Sequence, residues 1–221
     1  MIRQKIVVAL PLLICTGCGS LSRTFMNASW RDRWQKPETV IQSLAIQQGD
    51  SIADLGAGGG YFTFRLADAV GPTGTVYAVD VNKDNLDYIA QRAKEQGYSN
   101  VEVILAQYDD PLLPEDGVDL IFTCNVYHHL KDRVDYFESA ARYLRPDGRV
   151  AIIDLAGNSW VHRVFGHWTS QETSRSEMEA AGYQLANNFD FLNRQTFQVF
   201  TLKTDHQEQL AHDTHRVEVR P

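Results

Sequence analysis

Asp54, Gly56, Gly58 and Gly60 stand at alternate positions in the run IADLGAGGGYF, residues 52–62, and Asp80 follows 20 residues after the last of these glycines. Glycines at that spacing let the backbone turn tightly and approach a ligand that a Cβ would push away. An acid 20 residues further on can accept two hydrogen bonds from a ribose diol, and its loss should cost about 1.5–3 kcal/mol of binding. The pattern is that of a nucleotide cradle. A second reactive group lies in NVYHHL, residues 125–130, where Asn125, Tyr127, His128 and His129 crowd one turn. Imidazole titrates near neutrality, so His128 or His129 can act as a general acid or base; an architectural role for the pair is the alternative. Adjacent histidines are poorly placed to hold one ion, and no Cys or Glu joins them at zinc spacing, so no metal site is expected.

These residues need a scaffold that brings strand ends together. Residues 51–55 form a short apolar strand, and a helix over 61–70 places Phe62, Leu66, Ala69 and Val70 on one face before Gly71 and Pro72 stop it. A strand over 75–79 ends at Asp80, a helix runs from Asn82 to Gly97, and a strand covers 101–105. A fourth strand, 119–124, delivers NVYHHL, and a helix carrying Val134, Phe137, Ala141 and Leu144 follows. Thr169 and Glu172 make a capping box for a helix ending at Gly182, and 183–189 with 195–202 alternate as a hairpin turning near 192–194. Strands alternating with helices predict an α/β domain whose ligand crevice lies at the carboxyl ends of the strands.

The motifs choose among ligands. A dinucleotide fingerprint, G-x-G-x-x-G, requires a third glycine where this chain has Tyr61. The run D-x-G-x-G-x-G, Asp54 to Gly60, instead resembles the first motif of class I S-adenosylmethionine (SAM) dependent methyltransferases. That resemblance implies SAM as cofactor, with the glycine turn against its methionine part, Asp54 near its amino group and Asp80 on its ribose. It also implies an acid on the adenine amino group: alignment on Leu113-Pro114 selects Asp109, with Asp110 as the alternative, although Tyr108 replaces the glycine common before that acid. Asn125, at the fourth strand's end, joins the cofactor set. LRPDGRVAIID, residues 144–154, looks like the family's fifth strand with its preceding turn. The resemblance implies a Rossmann-like fold, a mostly parallel seven-stranded sheet in the order 3-2-1-4-5-7-6 with an antiparallel C-terminal hairpin. The reaction it implies is methyl transfer to a small-molecule acceptor. A binding lipoprotein without turnover and a nucleotide-dependent enzyme of another kind are the rivals.

A chain of 221 residues, 43% hydrophobic, can bury one core, and a formal charge of −7 disfavours broad phosphate binding, so nucleic acid is not an expected partner. Arg3 and Lys5 precede an apolar run over 6–14, and Thr16-Gly17 precede Cys18, a pattern similar to a bacterial lipoprotein signal. Residues 1–17 are therefore read as an export signal, with Cys18 acylated as the mature N-terminus at the cell envelope, facing the periplasm. A cytoplasmic or inner-membrane-tethered protein is the alternative. Residues 18–35 form a linker and cover, 36–202 the catalytic domain, and 203–221 a polar, mobile tail containing His206, His212 and His215. All four tryptophans, Trp30, Trp34, Trp160 and Trp168, fall outside the strand and helix ladder. They are expected to cover the cofactor and wall the acceptor pocket, or, for Trp34, to pack a helix on the sheet.

Overall fold

The computed structural model describes residues 31–157 and 168–204. Cys18, Trp30, Trp160, His162, His167 and the three tail histidines lie outside these residues, and with them the signal, lipidation and tail expectations.

The elements follow in the order α1 (Asp32–Gln35), α2 (Pro37–Ser43), β1 (Ser51–Leu55), α3 (Thr63–Val70), β2 (Thr75–Asp80), α4 (Lys83–Gln96) and β3 (Val101–Leu105). There follow β4 (Val118–Cys124), α5 (Arg133–Ala140), β5 (Leu144–Leu155), α6 (Gln171–Ala180), β6 (Tyr183–Phe189) and β7 (Gln195–Leu202). One seven-stranded sheet runs β3-β2-β1-β4-β5-β7-β6, which is the expected order. Its first five strands pair in parallel, and β7 pairs antiparallel with both β5 and β6. The order reverses between β1 and β4, so their carboxyl ends part around a crevice.

Burial on both faces accounts for the sequence of these strands. All five residues of β1 are buried, as a parallel strand covered by helices requires. One face of the sheet packs Tyr127, Phe137, Met178, Tyr183 and Phe200, and the other Leu44, Ile52, Leu66, Phe122 and Phe197. Each such side chain contributes about 1.5–3 kcal/mol by leaving water. α4 shows how local signals set the limits of an element: the Asn82 side chain accepts from the Asp84 N–H at its start, and Gly97, at φ 77°, closes its end.

Of the boundaries that differ from the sequence reading, three have a clear local cause. α3 begins at Thr63 rather than residue 61, because the preceding turn is held by a Gly60 N–H bond to the Ala57 carbonyl. The cap of α6 is Ser170 rather than Thr169: the extended Ser170 sets its hydroxyl 3.0 Å from the Thr173 N–H, while Thr169 is drawn into the core. The helix expected through Leu144 stops at Ala140 and tightens into a 3-10 turn, Ala141–Tyr143.

Candidate active site

The glycine turn leaves β1 and is stitched to β2. The N–H groups of Gly56 and Ala57 both donate to the Val79 carbonyl, at 2.8 and 3.0 Å. Gly56 has φ 76°, and a Cβ built there would stand 2.3 Å from Cγ2 of Val126, so both conformation and space demand glycine. The Gly58 N–H donates to Asp80 Oδ2 at 2.8 Å, and Asp80 Oδ1 accepts from the Asn82 N–H at 2.8 Å. Asp80 therefore ties the turn to α4 while standing at the crevice.

Two cavities open on this turn, and they meet at Gly56 and Val126. The smaller, about 270 Å³, has Asp54 and the turn as its floor and Trp34, Tyr61, Phe62 and Asn125 among its walls. The larger, about 700 Å³, includes Asp80, Val81, Gln107, Tyr108 and His129. Asp54 is 3% exposed and accepts from the Thr63 hydroxyl at 2.6 Å. Burial pushes its carboxyl up to about 7; the Thr63 bond opposes the rise, Asp80 adds to it, and Arg31 weakly opposes it.

The two acids after β3 have separate uses. Asp110 is fixed to the Leu112 N–H and the Tyr143 hydroxyl at 2.9 Å and to Arg142 at 2.5 Å. Partial burial would raise its carboxyl, but these partners together hold it below the usual carboxylate range. Asp109 is exposed and lines an adjoining cavity of about 660 Å³ that shares Gln107, Tyr108, Lys131 and Tyr136 with the larger of the two. Of the pair, Asp109 stands where a ligand can meet it.

Tyr127, His128 and His129 form a 3-10 turn, in which three successive side chains point about 120° apart. That geometry separates the three residues that the sequence grouped. Tyr127 lines neither cavity: it is buried, stacks on Phe137, and donates its hydroxyl to Glu177 at 2.8 Å. Arg133 grips the same carboxylate at 2.8 and 2.6 Å, so this cluster binds α5 to α6. Burial and the bond to Glu177 push the Tyr127 phenol far above its ordinary value. His128, with its side chain 4% exposed, lies outside both cavities and sets Nδ1 2.6 Å from Asp154 Oδ1, at the end of β5. Its backbone N–H donates to the other oxygen of Asp154 at 3.1 Å. His129 alone of the three faces the larger cavity.

Trp34 lines the smaller cavity, with the Arg194 guanidinium 5.7 Å from its ring. Trp168 instead packs on Gly157, where an added Cβ would meet its ring at 2.3 Å. Sequence reasoning missed Gln35, Gln195 and Asp154. Asp154 was within reach of the strand-end rule, since it closes β5 beside β4; Gln35 and Gln195 carry no motif.

The shape suits SAM. A zwitterionic end needs an acid that an ammonium would relieve, which Asp54 is, and a nucleoside end needs an acid for its diol, which Asp80 is. The family model described as "Methyltransferase domain" matches residues 46–210. An arsenite methyltransferase of Halobacterium salinarum is 30% identical over 111 residues, 50% of this chain and 28% of that protein. The ubiquinone/menaquinone biosynthesis C-methyltransferase UbiE of Ectopseudomonas mendocina is 26% identical over 154 residues, 68% of this chain and 58% of that protein. The chain thus spans less than two thirds of these relatives. In fold it is similar to a SAM-dependent methyltransferase of Aquifex aeolicus, with a TM-score of 0.77 at 23% identity, covering 83% of this chain and 98% of that one. Family match, sheet order and cleft agree, and the chain belongs to the SAM-dependent methyltransferases of Rossmann-like fold.

Proposed function

We propose that this protein transfers the methyl group of SAM to a small-molecule acceptor, with positioning and exclusion of water supplying most of the catalysis. The observation that carries the reading is the cleft of two cavities meeting at Gly56 and Val126, with one acid in each. When bound, the cofactor supplies an electrophilic methyl group on a sulfonium. Asp54 faces its ammonium, Asp80 accepts from its ribose while keeping the Gly58 N–H, and Asp109 accepts from its adenine amino group. Trp34, Tyr61 and Phe62 keep water from the smaller cavity. His128 and Asp154 act here as architecture, pinning the ends of β4 and β5; their burial outside both cavities favours this over direct contact with an acceptor. The relatives found are enzymes, so a binding lipoprotein without turnover gains no support.

The net charge of −7 favours a small acceptor over nucleic acid. Incubating the protein with methyl-labelled SAM and a bacterial lysate tests this: label should enter low-mass compounds. Label confined to protein or nucleic acid would overturn the small acceptor.

The basic start, the apolar run and Cys18 support a further proposal, that residues 1–17 are removed and acylated Cys18 anchors the domain at the bacterial envelope, facing the periplasm. Labelled palmitate should enter the wild type and not Cys18→Ser. Unlabelled full-length protein recovered from the cytoplasm would contradict it.

A further inference from the structure

Four side chains cross the smaller cavity's outer wall in one hydrogen-bonded line. Arg31 Nε donates to Gln35 Oε1 at 3.1 Å, Gln35 Nε2 to Gln195 Oε1 at 2.7 Å, and Gln195 Nε2 to Asn125 Oδ1 at 2.7 Å. Gln35 Nε2 also approaches Cys124 Sγ at 3.3 Å. Gln35 and Gln195 are buried. Burial pushes the Cys124 thiol up to about 12, so the sulfur stays neutral and serves only as a weak acceptor.

The direction of this line is fixed at its start. A carboxamide can present either its oxygen or its nitrogen, but a guanidinium nitrogen only donates. Arg31 Nε therefore requires the oxygen of Gln35, which leaves Gln35 its NH₂ for Gln195. The same logic turns the Gln195 NH₂ onto Asn125 and occupies Asn125 Oδ1. Asn125 lines the cavity and sits at φ 60°, a left-handed conformation that asparagine tolerates better than most residues. With its oxygen turned to Gln195, Asn125 is oriented to present its NH₂ donor to a ligand.

The amino-acid end of SAM brings both charges into this cavity. Asp54 suits the ammonium but repels the carboxylate, so the carboxylate needs donors away from Asp54. We propose that the line from Arg31 through Gln35 and Gln195 holds Asn125 as a donor to the carboxylate of the cofactor, making Gln35 and Gln195 positioning residues for its recognition. The inference rests on the cofactor reading above. It adds that the protein selects the complete amino acid, and that the polarity of one amide takes part in that selection beside the Arg31 guanidinium on the same cavity wall.

The test compares SAM with decarboxylated SAM, which keeps the sulfonium, amine and nucleoside and lacks only the carboxylate, by calorimetry on the full chain. The wild type should prefer SAM by about tenfold or more. Asn125→Asp, which accepts from Gln195 and turns a second oxygen on the ligand, should erase that preference and leave decarboxylated SAM within about threefold of its wild-type affinity. Gln195→Met, which removes the steering group at similar volume, should cut the preference about three- to tenfold. A merely structural role would weaken both ligands alike, and that result in Asn125→Asp would overturn the inference, as would a preference that neither variant changes. If Gln195→Met does not fold, Asn125→Asp decides alone. Equal affinities in the wild type overturn the inference while leaving the cofactor reading intact; no binding of either ligand overturns both.

Discussion

Asp80 Oδ2 accepts the Gly58 N–H at 2.8 Å, so the acid suited to a ribose diol also holds the turn on which the methionine part of the cofactor would rest. One carboxylate thereby joins the two halves of the cleft. Asp80→Ala should weaken S-adenosylhomocysteine by about 1.5–3 kcal/mol, the range for hydrogen bonds to a charged partner, and should also lower the melting temperature without ligand. Calorimetry with a thermal scan checks both. Loss of affinity at unchanged melting temperature would mean that the Gly58 bond contributes nothing to stability.

Asp54 gives the apoprotein a pH dependence of definite sign. Its carboxyl is raised from 3.8 to about 7 in the fold, so its contribution to stability is complete below the ordinary carboxyl range and is lost as pH rises through about 7. Ligand binding runs the other way. An ammonium beside Asp54 favours the carboxylate, so S-adenosylhomocysteine should bind more tightly as pH rises toward 7 and should release a proton when it binds below that pH. Thermal scans from acid to mildly basic pH, with titrations in buffers of different ionisation heat, read both effects. Asp54→Asn should flatten both profiles; an unchanged profile in that variant would assign the dependence elsewhere.

Gly56→Ala should lose ligand binding and stability together. Its Cβ would clash with Val126 at 2.3 Å, and a φ of 76° costs a residue with a side chain about 1–2 kcal/mol. Adding Val126→Ala should return part of the stability by relieving the clash, leaving the conformational cost. Full recovery in the double variant would show that the left-handed backbone costs nothing there.

Tyr127→Phe separates architecture from chemistry. The hydroxyl it removes bonds Glu177, so stability should fall by about 1.5–3 kcal/mol while affinity for S-adenosylhomocysteine stays within about twofold. His128→Ala should instead lose melting temperature and affinity together, because the ring bond to Asp154 that it removes braces the strand ends beside the crevice. A large loss of turnover with both quantities intact would make His128 a general base after all.

Much of this site was legible because it is local. Glycines at 56, 58 and 60 and an acid at 80 are read from spacing, and each strand ending beside the crevice carries its own boundary signals. The side-chain directions in Tyr127–His129 were not legible, since they depend on a 3-10 turn instead of a loop or an α-helix. Nor was the role of Gln35 and Gln195, 160 residues apart, because a neutral amide has no periodicity and acquires its partner only when β7 docks beside β5. Sequence alignment on Leu113-Pro114 already pointed to Asp109, but the occupation of Asp110 by Arg142 and Tyr143 was not legible, since those contacts arise from the 3-10 turn after α5.

The most direct measurement is a calorimetric titration of the full chain with S-adenosylhomocysteine and, in parallel, with NAD. The account expects a saturable heat with S-adenosylhomocysteine, reduced at least about tenfold in affinity by Asp80→Ala, and none with NAD, whose fingerprint fails at Tyr61. No binding of S-adenosylhomocysteine, or saturable binding of NAD at the same site, would contradict it.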